Sequence, residues 1–171
     1  MKGGFVIEPL GAQDRSAFSC DTAPLDRYLR EQASQDVKRL VAGCFVVVEA
    51  ATGTLAGYYT LAASSVTAND LPPQFAKRLP RYPLLPAALI GRLAIDQRYQ
   101  GKGLGSALLA DAAFRVLRSD MKALALIVEA KDEKAAAFYQ HHGFAPFANR
   151  PLSLYLPLET VKKGAKAHND L

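Results

Sequence analysis

The sequence predicts an α/β domain of three layers with a mixed sheet, and three observations indicate it. Strand-like and helix-like runs alternate through the second half of the 171 residues. A β-rich hairpin stands in the first half. A glycine-rich loop joins an apolar, strand-like run to a helix-like run. The length suits a single domain, which we place at residues 1–160, without a second domain, a repeat or a linker.

The first half opens with a predicted strand at residues 5–8, which Pro9 ends. A helix is predicted to begin at Ala23-Pro24, because proline is favoured in a first helical turn. Apolar side chains recur at four-residue intervals and predict its buried face: Leu25, Leu29, Ala33 and Val37. Residues 44–49 and 54–65 are rich in β-forming residues on either side of Thr52-Gly53, which predicts a hairpin.

Residues 68–81 interrupt the strand pattern with two adjacent prolines, a short predicted helix at 74–79 and three basic residues, Lys77, Arg78 and Arg81. This segment is either a lid that contacts substrate or a plain surface connection. A strand at 86–95 and a helix at 106–118 flank the glycine-rich loop.

The chain after this helix alternates again. Residues 123–128 form an apolar run, typical of a strand buried on both faces. Asp132 is predicted to cap a helix at 133–141, which Gly143 ends. A last strand is predicted at 152–158, and residues 161–171 are predicted to be a mobile basic tail.

Composition limits the function classes. No apolar run is long enough to span a membrane, and Glu8 and Pro9 interrupt any signal-like stretch, so a soluble cytoplasmic protein without membrane contact is expected. Cys20 and Cys44 lack metal or redox spacing; both should stay reduced, with Cys44 buried in a strand, and no metal site is predicted. The net charge of +5 favours an anionic partner.

The loop between residues 98 and 106 predicts a phosphate site. Glycines at 101, 103 and 105 let backbone N–H groups approach an anion, and the following helix adds its N-terminal amides. The spacing fits neither a Walker loop nor a dinucleotide fingerprint. A glycine-rich turn that caps a helix without binding a ligand is the alternative.

The pattern Arg98-x-x-Gly101-x-Gly103 closely resembles the acyl-CoA pyrophosphate loop of GNAT-type N-acetyltransferases. From Ile7 to Leu158 the chain also resembles the acetyltransferase toxins of bacterial toxin–antitoxin pairs. The segments that carry this resemblance are Phe18-Ser-Cys-Asp-Thr-Ala-Pro-Leu-Asp-Arg-Tyr-Leu, Gly57-Tyr-Tyr-Thr-Leu, Leu79-Pro-Arg-Tyr-Pro, Gly91-Arg-Leu-Ala-Ile and Ala135-Ala-Ala-Phe-Tyr. The resemblance implies a GNAT-like α/β/α domain whose mainly antiparallel sheet splays apart at the acetyl-CoA strand.

The same resemblance implies the chemistry and its partners. Members of this toxin family acetylate the amino group of an amino acid carried on tRNA, which blocks translation, and a small ribbon-helix-helix antitoxin neutralises them. A homodimer is expected. The helix face with Arg27, Glu31, Ser34 and Lys38 is either a solvated surface or a tRNA-contacting one.

The resemblance also assigns site residues for acetyl-CoA, the acetyl donor. The expected donor-binding residues are Leu93, Ala94, Ile95, Arg98, Gly101, Lys102, Gly103, Gly105, Ser106, Asp132 and Phe138. Backbone N–H groups along residues 93–95 would pair with pantetheine and stabilise the oxyanion. Tyr139 matches the family position that protonates the departing sulfur. Many relatives have Asn where Asp132 stands, which weakens the expected pantetheine contact of that side chain.

The sequence says less about the acceptor than about the donor. Arg78, Arg81 and Arg92 are candidate substrate-binding residues. His141, His142 and Glu129 do not stand out as a general base, which suits an α-amine, because its reference pKa of about 7.7 to 8.0 leaves it substantially neutral. Three functions remain open: an acetyltransferase toxin acting on aminoacyl-tRNA, an acetyltransferase for a small amine or a protein N-terminus, and a CoA-binding module without turnover.

Overall fold

The computed structural model describes the backbone of residues 4–169 and the side chains of residues 4–164. Within these residues seven strands form a mixed sheet, numbered along the chain as β1 (Phe5–Pro9), β2 (Gly43–Glu49), β3 (Leu55–Val66), β4 (Leu85–Ile95), β5 (Ala125–Glu129), β6 (Ala145–Phe147) and β7 (Arg150–Pro157). Their order in the sheet is β1-β2-β3-β4-β5-β7-β6. The described pairings β1–β2, β2–β3, β5–β7 and β6–β7 are antiparallel, and β4–β5 is parallel. The predicted mixed, mainly antiparallel sheet is therefore confirmed.

Two compact units make up the chain. One comprises Met1–Ala62 and Gly91–Ala112, and the other comprises Ala63–Ile90 and Ala113–Leu171. The chain passes between the units inside three elements: strand β3 (Leu55–Val66), strand β4 (Leu85–Ile95) and helix α4 (Leu104–Arg118). The prediction of a single domain at 1–160 stays a prediction.

The first unit contains the predicted hairpin. Strand β1 (Phe5–Pro9) pairs with β2 (Gly43–Glu49), and β2 pairs with β3. The turn contains Gly53 at φ +71°, a backbone conformation that glycine adopts without steric cost. Cys44 is buried in β2 as predicted.

The predicted helix from Ala23 is interrupted by a π-helical turn. It consists of α1 (Ala23–Arg27), a π-helix at Tyr28–Gln32 and α2 (Ala33–Lys38). The Ala33 N–H donates to the Tyr28 carbonyl, five residues back. The Leu29 carbonyl accepts instead from Arg15 Nη1 at 3.1 Å. A distant side chain thus satisfies a carbonyl at the π-turn.

This turn corrects the predicted buried face. Leu29 and Ala33 are buried and Leu25 is half-buried, but Val37 is 38% exposed. An α-helix advances about 100° per residue, so the residue inserted by the π-turn rotates the positions beyond it out of the four-residue repeat.

The 68–81 segment lies in the second unit. A 3₁₀ turn (Ala68–Asp70) has a capping box with Thr67, and α3 (Pro73–Ala76) ends three residues before the predicted limit of 79. Strand β5 (Ala125–Glu129) pairs with β4 from Ala88↔Leu126 to Ile90↔Val128, and β4 continues to Ile95.

The end of the chain holds two elements that the sequence pattern did not predict. Helix α5 (Glu133–His141) agrees with expectation, but the short strand β6 (Ala145–Phe147) precedes β7 (Arg150–Pro157). Helix α6 (Leu158–Asn169) then occupies most of the predicted tail, residues 161–171. The mobility of that tail stays a prediction, and residues 170 and 171 lie outside the described part. Among the described residues, no helix combines the length and apolar character needed to cross a bilayer.

Candidate active site

The glycine-rich loop joins β4 to α4. After Ile95 the chain makes a 3₁₀ turn (Gln97–Tyr99), and Gly101 and Gly103 follow at φ +77° and +79°. The Gly103 carbonyl accepts from the Ala107 N–H at 3.1 Å, which begins the helix. Helix α4 therefore starts at Leu104, two residues earlier than predicted.

The earlier helix start places Gly105 and Ser106 in the helix, while their role in donor binding stays a prediction. Both lie in the first turn of α4, and the loop glycines with positive φ are Gly101 and Gly103. A Cβ at either of these two positions would meet no protein atom within 4 Å. Glycine is therefore required there by the backbone conformation, and the protein leaves the space beside it open.

Asp96 holds the start of the loop, and the sequence analysis missed it. This buried carboxylate accepts the Ser19 N–H at 3.1 Å and the Arg98 N–H at 2.9 Å. It also accepts from Arg98 Nε and Nη2 at 2.9 and 3.0 Å. Burial raises the pKa of Asp96, but these hydrogen bonds outweigh it and leave the pKa below its ordinary value. Its place just after a strand and two residues before Arg98 was the available signal.

Arg98 is one of the expected donor-binding residues, and that role stays a prediction. Its guanidinium forms a two-point ion pair with Asp96 while 52% of the side chain is exposed. These contacts between Arg98 and Asp96 stabilise the 3₁₀ turn. Lys102 is exposed in the loop, with its Nζ 5.7 Å from the centroid of the Tyr99 ring.

The end of β4 is packed closely against β3. Ala94 is buried, and Leu93 and Ile95 are half-buried. A Cβ at Gly57 would lie 2.9 Å from the Ala94 carbonyl oxygen and 2.7 Å from Ile95 Cδ1. Glycine at 57 is thus needed for this approach, which gives a physical reason for one of the resembling segments.

Helix α5 carries the candidate acid. Asp132 Oδ1 accepts the Ala135 N–H at 2.8 Å, so its predicted capping role is confirmed. Tyr139 is 7% exposed, and its ring makes edge contacts with Phe138 and Phe144. Burial raises the pKa of Tyr139 to about 12, so the phenol is protonated at neutral pH.

The groups considered as bases have identifiable surroundings. Burial, and secondarily the nearby His141, lower the pKa of His142, which favours its neutral form. Glu129 Oε2 accepts a short hydrogen bond from Ser153 Oγ at 2.5 Å.

The three candidate substrate arginines have different surroundings. In the second unit, Arg78 lies 3.7 Å from Glu159 and over the Phe75 ring, and Arg81 is exposed. In the first unit, Arg92 lies over the ring of Tyr28. Their joint action on one acceptor stays a prediction.

Known proteins resemble this chain over nearly its whole length. The GNAT acetyltransferase domain profile matches residues 41–146. The chain is 31% identical over 168 residues to the probable toxin TacT of Sinorhizobium fredii, covering 92% of this chain and 93% of that protein. It is 35% identical over 153 residues to a tRNA-acetylating toxin of Mycobacterium tuberculosis, covering 88% and 90%.

Solved structures resemble it as well. AtaT complexed with acetyl-methionyl-tRNAfMet superposes with a TM-score of 0.85 at 29% identity, covering 93% of this chain and 98% of that one. A tyrosine-to-phenylalanine variant of AtaT, bound to acetyl-CoA and to the C-terminus of the antitoxin AtaR, gives 0.78 at 26% identity, covering 92% and 96%. With a profile match over more than half its length and relatives above 30% identity, the chain belongs to the GNAT acetyltransferase family, in the group that contains these toxins.

Proposed function

We propose that this acetyltransferase is a toxin that moves the acetyl group of acetyl-CoA to the α-amino group of aminoacyl-tRNA and so blocks translation. The observation that carries the donor half is the loop, where two glycines at positive φ lead into the 15-residue helix α4. The relatives named for tRNA acetylation support the acceptor half. An acetylated α-amine cannot attack the ester that joins the growing peptide to its tRNA, so no peptide bond forms.

The donor half works through backbone groups. N–H groups at Gly101–Leu104 and the N-terminal end of α4 would hold the pyrophosphate of acetyl-CoA, with Lys102 adding a nearby positive charge. Asp96 and Arg98 keep the loop in this conformation. Backbone amides of residues 93–95 would pair with pantetheine, and one N–H would stabilise the oxyanion that forms on the thioester carbonyl.

Tyr139 would supply the proton for the leaving group. The acceptor amine attacks the thioester carbonyl, the C–S bond breaks, and the Tyr139 hydroxyl donates its proton to the departing thiolate. The proton that the attacking nitrogen loses passes to solvent, and solvent returns a proton to the Tyr139 oxygen. A pKa near 12 keeps this proton on the phenol until negative charge develops on sulfur. Phe138 and Phe144 hold the ring through edge contacts.

The acceptor amine needs little help. Esterification removes the carboxylate charge that raises the pKa of a free amino acid's amine, so the α-amine of aminoacyl-tRNA is largely neutral at physiological pH. We propose no general base among the side chains of this chain.

The regulatory partner would be a small ribbon-helix-helix antitoxin, and the active form a cytoplasmic homodimer. The complex of AtaT with its antitoxin supports the partner. Co-expression with the protein encoded beside the toxin should relieve its toxicity. If that protein neither binds the toxin nor relieves its toxicity, the proposed antitoxin is wrong.

Turnover of charged tRNA by Tyr139→Phe tests the acid. The variant should lose a factor of about 10² to 10⁴ in kcat with acetyl-CoA affinity unchanged. Tyr155→Phe is the matched control, because it removes another buried tyrosine hydroxyl and should leave kcat unchanged. Near-wild-type kcat in Tyr139→Phe would exclude the assignment.

Comparing acceptors tests the substrate. Charged tRNA should be acetylated and uncharged tRNA should not, and affinity should fall with salt at a logarithmic slope of about −0.7 to −0.9 per phosphate contact. Efficient turnover of polyamines or peptide N-termini, with charged tRNA untouched, would favour a small-amine acetyltransferase. CoA binding without any turnover would indicate a binding module.

A further inference from the structure

A cavity of about 310 Å³ opens in the first unit beside the π-helical turn. Its lining comes from α1 and the π-helix, with one residue from β4: Pro24, Leu25, Arg27, Tyr28, Glu31, Gln32 and Arg92. The volume lies at the small end of ligand sites and is enough for one nucleotide or one amino acid.

Arg92 is the distinctive group in this cavity. Its Cζ lies 3.5 Å from the centroid of the Tyr28 ring, so the guanidinium is stacked on the phenol. The side chain is half-buried, yet over the residues with described side chains it makes no hydrogen bond or ion pair. A stacked guanidinium keeps its N–H edges available, and those edges match the oxygens of a carboxylate or phosphate.

Hydrogen bonds among neighbouring side chains hold the groups around Arg92 in place. The Tyr28 hydroxyl donates to Asp36 Oδ2 at 2.7 Å, and Gln32 Nε2 donates to Asp36 Oδ1 at 3.0 Å. Both oxygens of that carboxylate are therefore engaged by other groups. The Tyr28 ring also lies nearly parallel to Tyr58, 6.3 Å between centroids.

The chemistry of the lining favours an anion next to an apolar body. Among the lining residues, Arg27 and Arg92 outweigh the carboxylate of Glu31, and Leu25 and Pro24 add an apolar wall. Asp36 lies close enough for the Arg92 charge to help lower its pKa, but its two oxygens accept hydrogen bonds from Tyr28 and Gln32. In aminoacyl-tRNA the carboxylate of the amino acid is part of an ester and carries no charge. The anion nearest the reacting amine is then the phosphodiester of the terminal nucleotide.

We infer that this cavity binds the 3′-terminal nucleotide of the acceptor, with its phosphate on the edge of Arg92 and its nucleoside against Leu25 and Pro24. The inference rests on the proposed function for its substrate. Single-stranded RNA ends present an unstacked base and an accessible phosphate, as such a cavity requires. The same chemistry occurs in the 3′-phosphoadenosine of CoA, and the experiment separates the two sources.

The first experiment measures steady-state kinetics with an aminoacylated tRNA. Arg92→Gln should raise KM for the charged tRNA by about tenfold to hundredfold, the effect of losing hydrogen bonds to a charged group. KM for acetyl-CoA should not change. Arg92→Lys should recover part of the loss, because it restores the charge without the two-pronged geometry. Arg39→Gln, which removes an exposed positive charge outside the cavity, should behave as wild type.

The second experiment uses adenosine 5′-monophosphate as a probe. It should bind the wild-type protein by calorimetry more tightly than adenosine, bind Arg92→Gln no better than adenosine, and inhibit competitively against charged tRNA. Inhibition competitive against acetyl-CoA would assign the cavity to the CoA nucleotide and overturn the inference.

The outcomes separate the inference from the proposed function. Acetylation of charged tRNA by Arg92→Gln with an unchanged KM would reject the cavity while the toxin activity stands. Arg92-dependent binding of the probe in an enzyme that acetylates no charged tRNA would reject the proposed function and retain a nucleotide site.

Discussion

Two arginines, Arg98 in the loop after β4 and Arg92 in the cavity beside the π-helix, are held in opposite ways. Arg98 is half-exposed, but its guanidinium is held by two bonds to the buried carboxylate of Asp96. Arg92 is half-buried, but its contact is the ring of Tyr28. An exposed arginine can thus be structural, and a more buried one can keep its donors for a ligand.

The two regions also differ in the span of the contacts that hold them. The Asp96–Arg98 pair joins residues two apart, and the loop glycines follow directly. The cavity depends on distant partners: Arg15 holds the Leu29 carbonyl and the Tyr58 hydroxyl donates to the Leu25 carbonyl. Substitutions in each region should therefore have different consequences, which the following measurements examine.

The largest effect should appear in the packing beneath the π-turn. Leu29→Ala should lower the free energy of unfolding by about 2 to 5 kcal/mol, because Leu29 is fully buried. Val37→Ala should change it by less than about 0.5 kcal/mol, because the π-turn leaves Val37 on the surface. Urea unfolding of both variants measures this. Equal losses would mean that an unbroken helix buries all four predicted positions.

An intermediate effect should appear in the loop. Gly103→Ala should cost about 1 to 2 kcal/mol, since φ is +79° and a Cβ there is strained although space is open. Gly53→Ala is the matched control, with φ +71° and equally open space in the β2–β3 turn. Both should lose similar stability, but calorimetry should detect weaker acetyl-CoA binding in Gly103→Ala alone. Equal CoA affinities would contradict the proposed pyrophosphate site.

The smallest effect should be the pH dependence of the Asp96 contacts. The pKa of Asp96 is lowered in the folded protein, so its ionised form adds stability above the unfolded value of about 3.9. That contribution should disappear as the pH falls through the lower folded pKa. Unfolding curves of wild type and Asp96→Asn should therefore differ at pH 7 and converge in strong acid. If the two proteins differ in stability by the same amount at every pH, the charge of Asp96 makes no contribution and only its packing and hydrogen bonds matter.

The sequence sufficed for features that depend on neighbours along the chain. The hairpin around Thr52-Gly53, the buried strand β5 and the cap by Asp132 follow from local propensity and side-chain chemistry. The glycine-rich loop before a helix follows for the same reason, although that helix begins at Leu104 and contains Gly105. The strand β6 and the helix α6 were missed because neither carries a strong local signal.

The sequence alone determined the family and the position of the glycine-rich loop, and it proposed Tyr139 as the acid, because each corresponds to a short run of residue types. Only the tertiary structure decided which arginine is engaged and which keeps its donors. It also decided where the helix after Ala23 changes its hydrogen-bond pattern. Those outcomes depend on Arg15, Tyr58 and β4, which lie far along the chain from the residues that they contact. Folding brings such partners together through long-range packing, which no local pattern encodes.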